Sequence, residues 1–318
     1  MPYSILSPLQ NCVPNSGWSL FQALSSGLYQ PGPTWHKAAW RRKFMLRTLA
    51  MPLPTFRLLQ RLTRLPHYDA LLHAQPCLPC RLHRPWLAHR FSRRSAAAAI
   101  LQHYTLLHQQ LSAAAMLGYL SASGWTLAFI DGKNDARYQL TLRADCDLDK
   151  EGEATLTLYN AQKIALGQLT FTLFDFDGAR TLFIGGLQGA KARISHQVIQ
   201  DATKACHGLF PKRILLEAAR QVAQQLGASR ILAVGNRTHI YRSWRYRLSK
   251  KDKFHADYDA FWLESGAKLR HDDYFELLCH SPRRPLEAIP SKKRAEYRRR
   301  YALLDALSVQ LDREFRAH

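Results

Sequence analysis

Three side chains in the second half of this sequence have the types needed for acid–base chemistry. His207 stands beside Gly208 just before a predicted helix, and His239 and Tyr241 follow a short apolar run. Histidine is the usual general base near neutral pH, and a tyrosine hydroxyl can return a proton, so these residues fit a proton-transfer site. Each also has a structural interpretation. His207 can bond a backbone carbonyl, and the other two can pack with Trp244.

Other reactive groups give weaker patterns. Cys77 and Cys80 form a single CxxC motif, whereas a zinc ribbon needs two. The nearby histidines are His73, His83 and His89. They leave a Cys/His metal site open, but their spacing does not favour one, and we predict that the protein binds no metal. Cys206 could be a nucleophile, although a small buried helix residue explains it better. The glycines of residues 184–189 do not match the GxGxxG fingerprint of a dinucleotide site.

The charge of the chain is high and unevenly distributed. The formal net charge is +21 over 318 residues. Residues 1–110 contain 13 Lys and Arg against one acid, residues 111–234 contain 13 against 11, and residues 235–318 contain 19 against 12. A basic surface favours anionic membranes, acidic carrier proteins or nucleic acid, or it simply keeps the protein in solution. We consider nucleic acid an unlikely partner, because no recognised module accompanies the charge.

The basic N-terminal region reads as partly helical. Residues 1–34 indicate an irregular lead-in, and residues 66–94 indicate a proline-broken linker. Between them, residues 35–65 alternate apolar and basic positions at helical spacing. The predicted apolar face contains Trp35, Trp40, Phe44, Leu46, Phe56 and Leu59. Such a face either packs on the rest of the protein, which we favour, or lies on an anionic membrane.

No secretory signal and no run of 18 apolar residues are visible. These features predict a cytoplasmic protein, with attachment to the inner face of the inner membrane left open.

The remaining chain predicts an α+β fold with a mostly antiparallel central sheet. Residues 95–119 read as helical, as part of a buried helix pair, and from Trp125 the apolar period changes to two. Short turns separate the predicted strands, which indicates an antiparallel meander. These strands are Trp125–Ile130, Arg137–Arg143, Glu153–Tyr159, Ala165–Phe174 and Thr181–Leu187.

The elements that must position the candidate residues follow the meander. Ser195–Cys206 and Pro211–Leu226 read as helices, the second with Pro211 at its first position and Gly227 just after its end. Further strands are predicted at Arg230–Val234, Tyr258–Glu264 and Tyr274–Leu278, before a closing helix at Ser291–Phe315.

The chain resembles the bacterial VirK/YbjX family across about Ser95 to Leu311. It departs from the family at Phe210, where Arg is usual, and at Gly235, where Ser is frequent, so no role carries over for those two. The resemblance rests on several segments in order: Gln102-His103-Tyr104, Glu151-Gly152-Glu153, Ile184 to Gly189, Thr203-Lys204, His207-Gly208-Leu209, Pro211-Lys212, Leu226-Gly227, Ile231 to Val234, His239 to Ser243, Tyr258-Asp259 with Trp262, and Lys293-Arg294 running to Arg300-Tyr301.

The family resemblance implies a role but no reaction. Members are linked to virulence, surface-protein display and envelope resistance to antimicrobial peptides in Gram-negative bacteria. We accordingly divide the chain into a basic, Pro-rich N-terminal region, residues 1–94, and a VirK/YbjX-type domain, residues 95–318. The resemblance says nothing of oligomeric state.

The order of elements is also similar to the N-acetyltransferase (GNAT) fold, although the R/QxxGxG/A loop of that fold is absent. The similarity implies a GNAT-like core that binds an acyl-CoA or acyl carrier protein between the segments around Gln188 and Pro211. Helix-start N–H groups suit a phosphate there. The residues expected to hold this cofactor are Gln188, Gly189, Lys204, Gly208, Lys212 and Asn236, while Tyr241 is placed like the tyrosine that protonates the leaving thiolate.

Two functions follow from these similarities. The first is acyl transfer to an envelope lipid or protein. The alternative is a non-enzymatic, membrane-associated factor that binds an anionic surface or a partner protein.

Overall fold

The computed structural model describes residues 13–145, 147–243, 257–280 and 283–317. The chain divides into two compact units, Met1–Arg84 and Pro85–His318. The family-domain boundary expected at Ser95 stays a prediction.

Unit 1 is helical. Its helices are α1 (Gly17–Ser26), α2 (Pro33–His36), α3 (Ala38–Ala50), α4 (Pro52–Leu62) and α5 (Tyr68–Ala74), followed by a 3-10 helix, Leu78–His83. The irregular lead-in expected over residues 1–34 is therefore wrong for Gly17–Ser26, and residues 1–12 lie outside the described residues. Ser16 and Ser19 form a capping box that starts α1, and proline stands at the first position of α2 and of α4.

The predicted linker at residues 66–94 is also wrong. Its first part forms α5 and the 3-10 helix, and its last part belongs to unit 2. There Trp86, Leu87 and Ala88 are at most 2% exposed. The prolines keep the helices of this segment short, but the apolar side chains between the prolines are still buried.

Unit 2 begins with α6 (Arg93–Gln110) and α7 (Ala113–Leu120). Residues 95–119 were predicted to be helical, within a buried helix pair, and the structure has two helices here. The helix breaks because Ser112 has extended backbone angles and its hydroxyl accepts the Ala115 N–H at 3.1 Å, which starts α7 anew.

The eight strands that the structure describes form one sheet, which confirms the α+β class with a mostly antiparallel sheet. The strand order is β1-β2-β3-β4-β5-β6-β8-β7. Every neighbouring pair is antiparallel except β5 and β6. The strands are β1 (Trp125–Asp131), β2 (Arg137–Arg143), β3 (Ala154–Tyr159), β4 (Ala165–Phe176), β5 (Ala179–Gly189), β6 (Arg230–Val234), β7 (Lys268–Leu269) and β8 (Tyr274–Leu277).

The parallel pair is joined by two helices, α8 (His196–Ala205) and α9 (Pro211–Gln225). Helix α9 begins at the predicted proline and buries Ile214, Leu215, Ala218 and Val222 against the sheet. The closing helix, α11 (Ser291–Ala317), packs on α9 and β1.

The predicted strand at Tyr258–Glu264 is instead a helix, α10. Its aromatic residues favour a strand. However, the Asp257 side chain accepts the Ala260 N–H at 3.1 Å, and this N-cap starts a helix.

No helix among the described residues is both long and apolar enough to cross a bilayer.

Candidate functional site

A cavity of about 970 Å³ lies in unit 2, beside the ends of β4 and β5. The β2–β3 loop forms one side, and residues that follow β6 and begin α10 form another. Its lining includes Glu151, His239, Tyr241 and Tyr258, which are buried or half-buried.

The carboxylate of Glu151 reaches this cavity because two glycines of β5, Gly185 and Gly186, leave room for the loop that carries Glu151. A Cβ on Gly186 would lie 1.9 Å from Glu151 Oε2, and a Cβ on Gly185 would lie 1.9 Å from the Glu151 carbonyl oxygen. The β4–β5 register shifts at Gly185, so the strand carries a bulge at this point. Only glycine lets the loop approach the strand so closely.

Gln188 holds the carboxylate in place. Its Nε2 donates to Glu151 Oε1 at 2.9 Å and to Oε2 at 3.0 Å. Glu151 is 1% exposed. A buried carboxylate needs such donors, because burial without them strongly disfavours its charged form.

His239 lies on the other side of the same carboxylate. Its Nε2 is 3.9 Å from Glu151 Oε1. Its Nδ1 accepts the Tyr241 N–H at 3.3 Å, so a neutral ring carries its proton on Nε2. Burial lowers the pKa of His239 to about 4. The imidazole is therefore neutral at physiological pH.

Two tyrosines flank this histidine. The ring centroids of Tyr241 and Tyr258 lie 4.9 and 5.0 Å from that of His239. Burial, and secondarily the charge of Glu151, raises the pKa of Tyr258, so its phenol keeps the proton. The Tyr258 oxygen accepts the Leu187 N–H at 3.2 Å.

Helix α10 positions Tyr258 by filling the gap where β5 and β6 part. The parallel pairing ends at Ile184 and Ala233. Beyond it, Tyr258 takes the Leu187 N–H of β5, and Trp262 Nε1 donates to the Val234 carbonyl of β6 at 2.8 Å. These two bonds satisfy backbone groups that a continued strand pair would have used.

The segment after Pro85 ties the two remaining walls together. Leu87 N–H donates to the Lys150 carbonyl at 2.8 Å, and His89 N–H donates to the Thr238 carbonyl at 2.7 Å. Ala88 forms an isolated bridge with His239. The loop that carries Glu151 and the chain that carries His239 are thus held by one short stretch.

A second cavity of about 440 Å³ lies at the start of α9. Its lining includes Phe210, Lys212 and Phe261, and it shares Gly189 and Ala190 with the first cavity. Burial lowers the pKa of Lys212. Phe210 has no polar side-chain atom, so its side chain cannot cap the N–H groups of this helix start.

The predicted site residues fall into two groups. Gln188, Gly189, His239 and Tyr241 line the first cavity, and Gly189 and Lys212 line the second. The other four predicted residues are not among the described lining residues of either cavity: His207, Gly208, Lys204 and Asn236. Trp244, expected to pack with His239, lies outside the described residues.

His207 and Gly208 form the turn between α8 and α9. Both have positive φ, and the His207 carbonyl accepts bonds from Arg300 Nε and Nη2 at 3.1 and 2.9 Å. Lys204 is exposed on α8. These contacts involve the backbone of His207, so the role of its imidazole stays a prediction.

Asn236 connects β6 to α10. Its backbone N–H donates to Asp259 Oδ1 at 2.7 Å, its Nδ2 donates to Asp257 Oδ1 at 2.9 Å, and its Oδ1 accepts the Tyr258 N–H at 2.9 Å. The side chain thereby orients the helix that carries Tyr258.

Sequence reasoning did not assign a role to Glu151, although it lies in a family segment, and it offered Tyr258 only as a residue that could orient the acid–base groups. The available signal was the pair Gly185-Gly186 inside an apolar strand, because an interior glycine often marks a close backbone approach. The glycine pair does not identify the residue that approaches the strand.

The thiols are protonated where they are buried. Burial raises the pKa of Cys206 to about 12, and that of Cys80 in unit 1 to about 12. Neither has the thiolate character of a nucleophile.

The cavity arrangement can perform proton transfer. A buried carboxylate, a neutral imidazole and two phenols face a space within the size range of small-molecule sites. Glu151 can accept a proton and Tyr241 can donate one. Lysine and arginine side chains at the rim add positive charge: Arg143, Lys163, Lys191 and Arg193.

Comparison with known proteins gives relatives along nearly the whole chain. The family described as protein of unknown function (DUF535) matches residues 33–313. The Escherichia coli K12 protein named uncharacterized protein YbjX is 47% identical over 301 residues, which are 95% of this chain and 91% of that protein.

More distant relatives include an uncharacterized protein of Haemophilus influenzae, 29% identical over 227 residues, which are 71% of this chain and 72% of that protein. A Mannheimia haemolytica protein named membrane protein LapB is 27% identical over 176 residues, which are 55% of this chain and 73% of that protein. The match at 47% identity and the family match each span most of the sequence, and the segments quoted above lie within both. The chain belongs to the DUF535 family, the VirK/YbjX proteins.

Proposed function

We propose that this protein is an acyltransferase with a GNAT-like core, which moves an acyl group from a thioester donor to an envelope lipid or protein. The observation that carries the proposal is the parting of β5 and β6 beside a cavity lined by Glu151, His239 and Tyr241. In the GNAT fold a thioester donor is bound where the corresponding strands part. This is an analogy of fold, and the chemistry has to be argued from the side chains.

Part of the gap between the strands is already used. The Leu187 N–H is bonded to Tyr258, so the donor would lie further along β5, at Gly189 and Ala190. These residues join the first cavity to the second, which contains Lys212 at the start of α9. A helix start with a lysine suits a phosphate group. The acyl-CoA or acyl carrier protein would supply a thioester-activated acyl group.

The residues of the first cavity would handle the protons. Glu151 would take the proton of the acceptor hydroxyl or amine, held in position by Gln188. Tyr241 would give its proton to the departing thiolate. His239 lies between them as a neutral, buried ring. Tyr241 keeps its expected role as the acid, and Glu151 replaces His207 as the base.

We also propose that the protein works at the inner face of the inner membrane. Two observations support this location: the net charge of +21 and the sequence similarity to a protein named membrane protein LapB.

Native mass spectrometry tests donor binding. The freshly purified protein is measured alone, with acyl-CoA and with acyl carrier protein. We expect a bound thioester, and weaker binding by at least about tenfold for Lys212→Glu, since a favourable charge becomes a repulsive one. Lys204→Glu makes the same charge change on exposed α8 and should bind like the parent.

Absence of binding of either donor to the parent protein would refute the proposal. Equal weakening by Lys212→Glu and Lys204→Glu would remove the second cavity as the donor site. Donor binding without any acyl transfer or thioester cleavage would leave a thioester-binding protein rather than an enzyme.

A further inference from the structure

The outward side of α3 and α4 in unit 1 carries exposed leucines. Leu46, Leu49 and Leu53 are 63%, 64% and 67% exposed. Residues 35–65 were predicted to contain one apolar face, and most of that face is used inside the unit: Trp35, Phe44 and Leu59 are at most 1% exposed. Leu46 belongs to the predicted face but remains exposed, and together with Leu49 and Leu53 it makes up what we call the leucine face.

Helix geometry puts the leucines of α3 beside a cation. Successive residues turn by about 100° around a helix axis. Phe44 and Thr48 are buried on one side of α3. Arg42, Leu46 and Leu49 fall on the opposite side, because they are four and three residues apart.

Helix α4 repeats this arrangement directly after the turn at Met51. Its buried side contains Thr55, Leu58, Leu59 and Leu62. Leu53 and Arg57, four residues apart, lie opposite and are both exposed. Two consecutive helices therefore present leucine and arginine on their outward sides.

The positive charge of unit 1 indicates which kind of partner fits the leucine face. Residues 1–84 contain ten Lys and Arg and a single acid, Asp69. Asp69 lies on α5 and accepts the Tyr29 hydroxyl at 2.6 Å. Residues 38–62, which form α3 and α4, contain no acidic residue. An anionic partner would thus meet attraction across both helices.

We propose that the leucine face docks on an anionic lipid bilayer. The leucines enter the boundary between headgroups and acyl chains, and Arg42 and Arg57 contact lipid phosphates. Nucleic acid fits less well, because exposed leucines gain nothing from a phosphate backbone. The inference rests on the proposed membrane location, and it does not depend on acyl transfer.

Vesicle co-sedimentation of the full chain tests this. We expect binding to vesicles of phosphatidylglycerol and phosphatidylethanolamine, and little binding to neutral phosphatidylcholine vesicles. Binding should weaken in about 1 M salt, where charges are screened beyond about 3 Å, and the leucine contribution should remain.

Two triple variants separate a specific surface from general stickiness. Leu46→Ser, Leu49→Ser and Leu53→Ser together should lower vesicle partitioning by about tenfold or more, since each loses apolar area that enters the bilayer. The control variant changes Leu263, Leu269 and Leu278 of unit 2 to serine, and these are 57%, 59% and 51% exposed. It should partition like the parent, and circular dichroism checks that both variants fold.

Three results would overturn the inference: no vesicle binding by the parent, equal losses in both triple variants, or equal binding to neutral and anionic vesicles. A concentration-dependent dimer, lost in the Leu46, Leu49 and Leu53 variant and without vesicle binding, would assign the face to a second copy instead. Thioester binding by the same variant is also measured by native mass spectrometry. If the variant still binds a thioester, a failure of the membrane inference does not count against the acyl-transfer proposal.

Discussion

Gly186 of β5 lies directly beneath the carboxylate of Glu151, so that a methyl group added to the glycine would come within 1.9 Å of Glu151 Oε2. The contact joins a strand to a loop that precedes it by more than thirty residues in sequence. It places a carboxylate at the wall of the first cavity. Four predictions follow from this cluster and the elements around it.

Gly186→Ala should displace Glu151 and destabilise the protein. Because the neighbouring atoms belong to a buried carboxylate and its own Cβ, the clash cannot be relieved without moving the loop. We expect a loss of about 1–3 kcal/mol in the free energy of unfolding, measured with urea. Gly189→Ala in the same strand is the control, since its added Cβ would meet only Lys212 Cε at 3.5 Å. Equal stability of the two variants would contradict the close approach.

Glu151→Gln should abolish proton transfer while preserving the shape of the site. The isosteric amide keeps an acceptor for Gln188 but cannot act as a base. If Glu151 is the general base, the rate of thiol release from an acyl thioester should fall by about a hundredfold or more. Asp147→Asn removes an exposed carboxylate from the lining of the same cavity and should leave the rate nearly unchanged. A fully active Glu151→Gln enzyme would exclude this residue as the base.

The stability of the protein should decrease in acid because of its buried histidines. Burial lowers the pKa of His239 from 6.5 to about 4, and that of His103 to about 3. Between these values and pH 6.5 the unfolded chain binds protons that the folded protein does not, so the free energy of unfolding falls as pH falls. For His239 alone the loss approaches about 3 kcal/mol.

The measurement is the urea midpoint from pH 7 to pH 4. His239→Asn should flatten the pH dependence, whereas His36→Asn, which changes an exposed histidine, should follow the parent. An unchanged slope in His239→Asn would mean that this ring is not held neutral by burial.

Asn236→Ala should weaken the fold rather than the donor site. The substitution removes the bonds from Asn236 to Asp257 and to the Tyr258 N–H. We expect a cost of about 1–2 kcal/mol in stability. Thioester binding in the folded fraction should be retained, because this side chain is not among the described lining of the second cavity. A selective loss of thioester binding at full stability would restore Asn236 as a cofactor residue.

Much of the secondary structure could be predicted because its signals are local. Pro211 and Gly227 bound α9 in the sequence, and the alternating strands follow from a period of two. The prediction failed where two local preferences compete. The aromatic residues of Tyr258–Glu264 favour a strand, and Asp257 favours a helix start, which the structure adopts.

Only part of the candidate site could be predicted, because sequence signals are local. His239, Tyr241, Gln188 and Lys212 could be selected by residue type and by similarity to known folds. Glu151 could not, because its environment is created by Gln188, 37 positions later, and by the glycines of β5.

The sequence by itself determined the α+β class, the excess of positive charge and the family, since composition, periodicity and identity are properties of the chain. The tertiary structure decided which ionisable groups share a cavity and which leucines remain exposed. Burial depends on contacts between residues far apart in sequence, and a hydrophobic pattern does not specify them. Leu46 and Phe44 are two residues apart on one helix, yet the first is exposed and the second is buried.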